Sequence, residues 1–348
     1  MSYLLSADLH IDKHRQFDTI GKDKKSSRLC DGLNSLKWLY ETALAKKCEH
    51  IILAGDLFHT RHKIEVEVFN AVFNLIAGAT EVHWHILAGN HDQYTEKVTS
   101  IEPLGYLGNV TTYIDSQRVL LSGNTFDFIP YKELPKDYLS SIDDLGSPHE
   151  DVYCITHVSL DGATVGSFEH RPKADMYLSY YPEYYKRILA GHYHKPQTLG
   201  KFTYLGSLIQ LDRSDIGQDK SALYLTSEGE EELIYYDKSP CFISMKWSDI
   251  SKRKNVRSIA GNFIDVLVDV HPYPAMTEIS ETLKNYNVRS YLSIYDRKKN
   301  TEIEIKDVIK TARTSPQEAI RNYVVVNQKS KRFTAAGIDL LERGKQAK

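Results

Sequence analysis

Short, largely apolar runs recur along this chain, and five of them end near a cluster of aspartate, asparagine, glycine or histidine. The runs are residues 3–5, 51–53, 85–87, 152–155 and 188–189, and the clusters that follow begin at Asp8, Gly55, Gly89, His157 and Gly191. Runs of this length, bounded in this way, are typical of strands buried in a sheet. The chain therefore has to fold around a sheet whose strands end in polar groups.

Helical patterns lie between these runs. Apolar positions repeat at offsets of three and four through Leu29, Leu33, Leu36, Tyr40 and Ala43, and a second such pattern covers residues 65–76. Strand, helix, strand in sequence indicates an α/β fold with a sheet covered by helices. Open α/β sheets place their sites at the carboxyl ends of the strands, which is where the polar clusters fall.

The pattern changes after about residue 222. Apolar residues 223–225 and 233–235 flank an acidic turn, as in a β-hairpin, and we expect a first domain of residues 1–240. Residues 241–296 contain a strand (263–270), a break at Pro272 and Pro274, a helix (277–286) and another strand (288–295), which predict a small α+β domain.

Residues 297–348 form a basic tail. They hold 13 lysines and arginines against 6 acidic residues, whereas residues 1–296 hold 31 against 40. A capping box at residues 315–318 and an apolar face at residues 335–343 predict two short helices. The charge of such a tail suits nucleic acid or an acidic partner, or simply keeps the tail solvated. Its two helices would dock on a partner or pack against the rest of the same chain.

Composition excludes several classes of protein. No apolar run approaches the roughly 18 residues that span a bilayer, and residues 3–7 are too short for a secretory leader. The four cysteines are scattered without CxxC spacing, which argues against a zinc ribbon or a disulfide framework. We therefore expect a protein without a membrane span, in a reducing cytoplasm.

The five clusters are built from metal-ligating side chains. They are Asp8-Leu9-His10, Gly55-Asp56-Leu57-Phe58-His59, Gly89-Asn90-His91-Asp92, His157 and Gly191-His192-Tyr193-His194. Carboxylate, imidazole and amide oxygen suit Mn²⁺, Zn²⁺, iron or Mg²⁺. One cluster alone is more often core or surface, but four buried strand ends carrying unpaired Asp and His would be costly without a metal.

In this order the clusters resemble the calcineurin-like metallophosphoesterase superfamily, with its pattern D-x-H, G-D, G-N-H-D/E, H and G-H-x-H. The resemblance implies a β-sandwich flanked by helices and two metal ions. Asp8, His10 and His194 would hold one ion, Asn90, His157 and His192 the other, and Asp56 would bridge them. His91 would contact the scissile phosphate, with His59 a second candidate for this role. His91 could instead orient a metal ligand, and for Asp92 that orienting role is the favoured interpretation. We give little weight to His14, His62, His83 and His85.

Finer details resemble the nuclease subunit of double-strand-break repair complexes, as in bacterial SbcD proteins and phage recombination endonuclease subunits. The details are the G-D-L-F-H and G-N-H-D forms, residues 128–131 and residues 204–210. The resemblance implies a Mn²⁺-dependent DNA endonuclease and 3′-to-5′ exonuclease, with Mg²⁺ possible. It also implies that residues 241–296 form a capping domain, that the tail binds an ABC-type coiled-coil ATPase, and that helices near residues 64–76 and 100–107 form a homodimer. A phage-type member would work in an infected bacterial cytoplasm.

Two other functions stay open at this point. A small-molecule phosphodiesterase or nucleotidase would use the same ligands with a restricted entry, and a non-catalytic scaffold would have lost ligands that are all present here. One segment departs from the family pattern: residues 11–27 form a long, lysine-rich linker after D-x-H. It either touches DNA phosphates or is a solvated loop.

Overall fold

The structure, a computed structural model, describes residues 1–14, 16–21, 24–148, 151–254 and 256–295. Strands β1 to β9 are Ser2–Ser6, His50–Leu53, His83–Leu87, Gln93–Thr95, Val98–Thr99, Val110–Tyr113, Gln117–Leu121, Asn124–Ile129 and Val152–His157. Strands β10 to β17 are Tyr185–Gly191, Gln197–Leu199, Phe202–Tyr204, Ser221–Thr226, Glu231–Tyr235, Phe242–Lys246, Phe263–Val268 and Ser290–Tyr295. Helices α1 to α5 are Ser27–Lys46, Val66–Gly78, Pro135–Leu145, Trp247–Ser251 and Met276–Asn285.

The first sheet has the strand order β14-β13-β1-β2-β3-β6. Strands β1, β2, β3 and β6 are parallel neighbours, and β13 and β14 continue the sheet as an antiparallel hairpin beside β1. Along β1, Leu4 packs in the core on one face, while Tyr3 and Leu5 pack in the core on the other. This alternation follows from the two-residue period of a strand, and it leaves β1 buried on both faces.

The second sheet has the order β11-β12-β10-β9-β8-β7 and packs on the first through an aromatic core. Tyr113 of the first sheet stacks on Phe128 of the second, with ring centroids 3.7 Å apart. On the outer face of the second sheet, Tyr138 and Ile142 of α3 belong to the core cluster that contains Cys154 of β9. The two sheets therefore form a sandwich with helices outside.

Helices α1 and α2 cover the outer face of the first sheet, as their apolar repeats predict. Ser26 caps α1 by accepting a hydrogen bond from the backbone nitrogen of Leu29 at 3.1 Å. Leu36 of α1 and Val72 of α2 are fully buried in the same core cluster as Ile51 of β2. The predicted α/β sandwich flanked by helices is confirmed.

Residues 242–295, here called the C-terminal module, form a sheet of order β15-β16-β17 with α4 and α5. The predicted strand, helix and strand correspond to β16, α5 and β17, whereas β15 and α4 were not predicted. The boundary near residue 240 stays a prediction, and the tail of residues 297–348 lies outside the described residues. Within the described ranges, no helix combines the length and the apolar character needed to cross a membrane.

Candidate metal centre

The five polar clusters meet at one edge of the sandwich, because parallel strands of both sheets end there. Asp8 and His10 follow β1, Asp56 follows β2 and Asn90 follows β3, while His157 ends β9 and His192 and His194 follow β10. Residues more than a hundred positions apart come into contact at this edge. The structure thus brings together all seven residues predicted as metal ligands.

Asp56 lies between two groups of these side chains. Its Oδ2 is 3.4 Å from His10 Nε2 on one side and 3.4 Å from His157 Nε2 on the other. Beyond His10, His194 Nε2 lies 3.1 Å from His10 Nε2, and Asp8 belongs to the same group. Asn90 Oδ1 lies 2.9 Å from a ring nitrogen of both His157 and His192. Asp56 therefore has His10 and His194 on one side and His157, Asn90 and His192 on the other, and Asp8 converges with both His10 and His157. How the seven residues divide between two ions stays a prediction.

The ligand atoms fit a divalent cation. Those of Asp8, His10 and His194 lie within 4.8 Å of one another, as do those of Asp8, Asp56 and His157. Buried carboxylate oxygens and imidazole nitrogens that converge on one point, without enough N–H or O–H groups to satisfy them, are characteristic of metal sites. The donor set is oxygen and imidazole nitrogen, which suits Mn²⁺, Mg²⁺ or Zn²⁺.

The pKa shifts within the cluster also favour a bound cation. Burial raises the pKa of Asp8 to about 7 and holds the pKa of His10 well below its ordinary value. Burial alone would lower the pKa of His157, but the Asp56 carboxylate outweighs it and raises that pKa to about 9. The buried carboxylates therefore attract positive charge, which a bound cation would supply in place of a proton.

The backbone at these residues takes conformations that side chains rarely adopt. The φ angles of Asp8, His10, Asp56 and His192 are 51°, 44°, 55° and 105°. Left-handed backbone at residues other than glycine costs about 1–3 kcal/mol each and persists only where the surroundings enforce it. Strain of this kind concentrates at functional sites, and here four of the seven predicted ligands carry it.

Three of the clusters begin with glycine because the backbones approach too closely for a side chain. A β-carbon on Gly55 would stand 2.3 Å from His157 Nδ1, and one on Gly191 would stand 2.3 Å from the Ala54 carbonyl oxygen. Gly55 also has a φ of 94°. The glycines of G-D and G-H-x-H are thus requirements of packing around the ligands.

Asp92 organises the loops that carry the ligands. Its Oδ2 accepts hydrogen bonds from the backbone nitrogens of Asp56, Leu57 and Gly89 at 2.8, 3.3 and 3.0 Å, and its Oδ1 accepts one from Phe58 at 3.1 Å. The side chain is fully buried. Asp92 therefore fixes the second and third clusters relative to each other, in keeping with the predicted orienting role.

Other partners orient the histidines. His157 Nδ1 donates to the Ala54 carbonyl at 2.9 Å, which leaves Nε2 facing Asp56 and Asn90. The backbone nitrogen of His192 donates to Asp8 at 3.0 Å, and Ser159 Oγ lies 2.7 Å from His192 Nε2. Hydrogen bonds of this type fix the tautomer and the ring orientation of metal-binding histidines.

His91 and His59 lie next to each other beside the seven predicted metal ligands. The backbone nitrogen of His91 donates to Asp56 Oδ1 at 2.8 Å, and His91 Nδ1 donates to the His59 carbonyl at 2.5 Å. The two rings are stacked, with centroids 5.5 Å apart. His14 also reaches this group, because its Nε2 donates to the His10 carbonyl and its ring lies 4.6 Å from that of His59.

The sequence gives no signal for Lys220, which lies directly behind His194. Its Nζ donates to the His194 carbonyl at 2.8 Å and to Ser207 Oγ at 2.9 Å, and lies 3.4 Å from Asp215. Lys220 and Asp215 are 6% and 1% exposed. A single lysine shortly before a strand is normally solvent-exposed, so this buried pair could not be predicted.

The lysine-rich linker joins the site to the C-terminal module. Between His10 and α1, Phe17 packs its ring against Phe242 and Phe263, with centroids 5.2 and 5.6 Å away. The Arg213 guanidinium lies 4.4 Å from the Phe17 ring centroid and forms an ion pair with Asp265 at 2.6 Å. The linker therefore packs against the C-terminal module through Phe17.

The sequence profile of the calcineurin-like phosphoesterases matches residues 1–196. The chain belongs to the calcineurin-like phosphoesterase family. The match contains every predicted ligand from Asp8 to His194. Family membership and the site geometry together make the chain a phosphoester hydrolase of the metallophosphoesterase type, a family that uses a dinuclear metal centre, with the clustered Asp, Asn and His residues as candidate ligands.

Solved structures similar to this calcineurin-like phosphoesterase include three of related type. An archaeal phosphodiesterase is 13% identical, over 68% of this chain and 100% of that one, with a TM-score of 0.37. A dimetal phosphatase from Danio rerio is 11% identical, over 68% and 99%, with a TM-score of 0.41. Nuclease MPE from Pseudomonas putida is 14% identical, over 67% and 87%, with a TM-score of 0.27. No curated protein sequence matches the chain.

Proposed function

We propose that this phosphoesterase is a metal-dependent DNA nuclease, with endonuclease and 3′-to-5′ exonuclease activity, that uses two divalent ions, Mn²⁺ in preference to Mg²⁺. The observation that carries the proposal is Asp56 lying 3.4 Å from both His10 and His157, which is the arrangement for one carboxylate shared by two ions. Choice of DNA rests on the resemblance of four sequence segments to repair nucleases. One of them, residues 128–131, reaches the site, since Tyr131 stacks on His192 at 6.3 Å.

In this mechanism Asp8, His10 and His194 would hold one ion, Asn90, His157 and His192 would hold the other, and Asp56 would serve both. Two such ions, when bound, supply a nucleophile at neutral pH and neutralise the charge that develops on a phosphodiester during in-line displacement. The protein fixes the positions of the ligands through the contacts of the buried Asp92 and of Ser159 described above.

His91 acts on the leaving oxygen. Because its Nδ1 donates to the His59 carbonyl, Nε2 is the ring nitrogen that remains to contact the phosphate. The imidazolium form would donate its Nε2 proton to the leaving oxygen and become the neutral imidazole that keeps its hydrogen on Nδ1. The backbone bond from His91 to Asp56 ties this imidazole to the bridging carboxylate. His59, stacked on His91, positions that ring.

The partners follow from the same resemblance. We propose that the enzyme works on DNA in recombination, repair and replication, that the tail of residues 297–348 binds an ABC-type coiled-coil ATPase, and that two chains form a homodimer in the cytoplasm of a phage-infected bacterium. Truncation after residue 296 should abolish association with the ATPase while DNA binding is kept. Light scattering at micromolar concentration should give the mass of a dimer, and a strict monomer would contradict this part.

The deciding experiment is a cleavage time course on linear duplex and single-stranded DNA with Mn²⁺, Mg²⁺ or EDTA. Asp56→Asn is the test variant and Asp144→Asn, an exposed carboxylate on α3, is the matched control. We expect Mn²⁺-dependent cleavage that is lost in Asp56→Asn and kept in Asp144→Asn. Hydrolysis of bis(p-nitrophenyl) phosphate without DNA cleavage, even with the ATPase added, would instead assign the protein to the small-molecule phosphodiesterases.

A further inference from the structure

The connection between β9 and β10 presents an aromatic side chain to solvent beside the metal centre. Phe168 is 97% exposed, and no other large apolar side chain in the described residues is as exposed. Exposing a phenylalanine forgoes about 1.5–3 kcal/mol of hydrophobic stabilisation. The exposed Phe168 ring therefore does not contribute to folding stability, which suggests a binding role.

The segment that carries Phe168 is a tight hairpin rather than a loose loop. Val165 and His170 exchange two backbone hydrogen bonds of 2.7 and 3.1 Å, so that residues 166–169 form the turn. Lys195 Nζ binds the Glu169 carboxylate at 2.9 Å. At the base of the hairpin, Gln197 accepts from the Thr164 nitrogen at 2.8 Å and donates to its carbonyl at 2.7 Å. The hydrogen bonds therefore fix the backbone from which the Phe168 ring projects.

This hairpin and the metal centre share one cavity. A space of about 170 Å³ is lined by Val165 and Gly166 from the hairpin and by His192, His194 and Lys195 from the last cluster. Ser214 and Asp215 form part of its wall. A strand whose phosphate lies on the metal ligands would place a neighbouring nucleotide against this cavity and its rim.

The hairpin continues into an exposed basic segment. Arg171 and Lys173 follow Phe168 by three and five residues and are both exposed, whereas Lys195, on the other side of the turn, is paired with Glu169. An exposed ring flanked by cationic side chains is the arrangement by which proteins bind single-stranded nucleic acid, where each stacked base contributes about 1–3 kcal/mol. An acidic or purely apolar partner would match only half of this surface.

We propose that Phe168 is a stacking platform for an unpaired base next to the scissile phosphate. This rests on the proposed nuclease function and adds its substrate class: DNA whose strand is unpaired near the cleaved bond. A base inside an intact duplex is already stacked on both sides, so it cannot use the Phe168 ring without being unstacked. Blunt, fully paired ends should therefore be poorer substrates than single strands.

The test compares Phe168→Ala, Phe168→Leu and Phe168→Trp with wild type on a single-stranded oligonucleotide and on bis(p-nitrophenyl) phosphate. We expect Phe168→Ala to lower kcat/KM on the oligonucleotide about tenfold relative to the small diester, from the loss of one stacked base. Phe168→Trp should restore the rate and Phe168→Leu, apolar but not aromatic, should not. Tyr235→Ala, an exposed aromatic on β14, is the control that should behave as wild type.

A second arm places a single abasic residue at successive positions of the oligonucleotide. At one position it should slow wild type about tenfold and leave Phe168→Ala unaffected, because both changes remove the same contact. Equal rates for Phe168→Ala and wild type on DNA, or full rescue by leucine, would overturn the stacking platform and leave the nuclease function standing.

Binding separates the two proposals when no cleavage is seen. If wild type cleaves no DNA, the nuclease function fails. Fluorescence anisotropy of a labelled oligonucleotide in EDTA still measures the affinity of Phe168 variants for single-stranded DNA. Weaker binding by Phe168→Ala than by wild type would support it, and equal binding would refute it.

Discussion

A β-carbon on Gly89 would stand 2.2 Å from Asp56 Oδ1 and 2.4 Å from the Asp56 nitrogen. The backbone of the third cluster is thus pressed against the carboxylate that lies between the two ligand groups. The position of Asp56 depends on the absence of a side chain at residue 89.

Gly89→Ala should lower phosphodiesterase activity at least about a hundredfold, because a displacement of about 1 Å at a catalytic group has effects of that size. The measurement is kcat/KM on bis(p-nitrophenyl) phosphate at saturating Mn²⁺. Gly78→Ala, on the last residue of α2 with open space around it, is the control and should keep full activity. An active Gly89→Ala enzyme would show that Asp56 tolerates displacement.

Asp92→Asn should reduce the free energy of unfolding by about 1–3 kcal/mol. The carboxylate accepts four backbone hydrogen bonds, whereas an asparagine side chain has only one acceptor oxygen, so at least one buried N–H loses its partner. Urea denaturation measures the change, with the exposed Asp144→Asn as reference. Equal midpoints for the two variants would rule out the organising role of Asp92.

Lys220→Met should destabilise the fold by about 3–5 kcal/mol, because it leaves the Asp215 carboxylate buried without its cation. Adding Asp215→Asn should recover part of that loss. The double-mutant cycle, measured by urea denaturation, should give a coupling energy of at least about 1 kcal/mol. Additive effects would mean that the two side chains act independently.

Stability should fall in acid through His85, which is 3% exposed between the sheets and whose ring binds Tyr113 Oη at 2.8 Å. Burial lowers its pKa to about 3, below the ordinary value near 6.5. Between these pH values the unfolded chain binds a proton that the folded chain does not, so the free energy of unfolding falls as the pH falls.

His85→Gln removes this proton uptake. From pH 7.5 to pH 5.0 the wild type should lose about 2 kcal/mol more than the variant, because a single such group contributes about 1.4 kcal/mol per pH unit below its unfolded pKa. The comparison uses urea midpoints at the two pH values. Parallel losses in both proteins would exclude His85 as the source.

Local pattern predicted the strands that end in ligands and the two covering helices. Residues 3–5 and 51–53 are apolar on both faces because β1 and β2 are buried on both faces. Leu36 and Ala43 recur at helical spacing because this face of α1 packs on the first sheet. The ligand motifs stood out because metal chemistry limits the side chains that can occur there. These signals lie within a few consecutive residues.

Long-range packing was not predictable in the same way. Nothing in residues 218–222 indicates that the Lys220 side chain is buried against the His194 carbonyl. Phe17, which packs on Phe242, lies in a segment whose lysines suggested a solvated loop. Strand β15 was missed because its burial alternates only partly and its partner β16 lies about twenty residues later. Contacts of this kind depend on the complete fold rather than on local spacing.

The anchoring of Phe17 has a consequence for how the chain unfolds. The Phe17 ring, the Arg213–Asp265 pair and the bond from Arg289 to Asp31 join elements on both sides of residue 240. A chain cut at that residue would leave the aromatic and charged partners of the first 240 residues facing water. Residues 1–294 should accordingly unfold in one cooperative transition, even though their sequence pattern divides them into two parts.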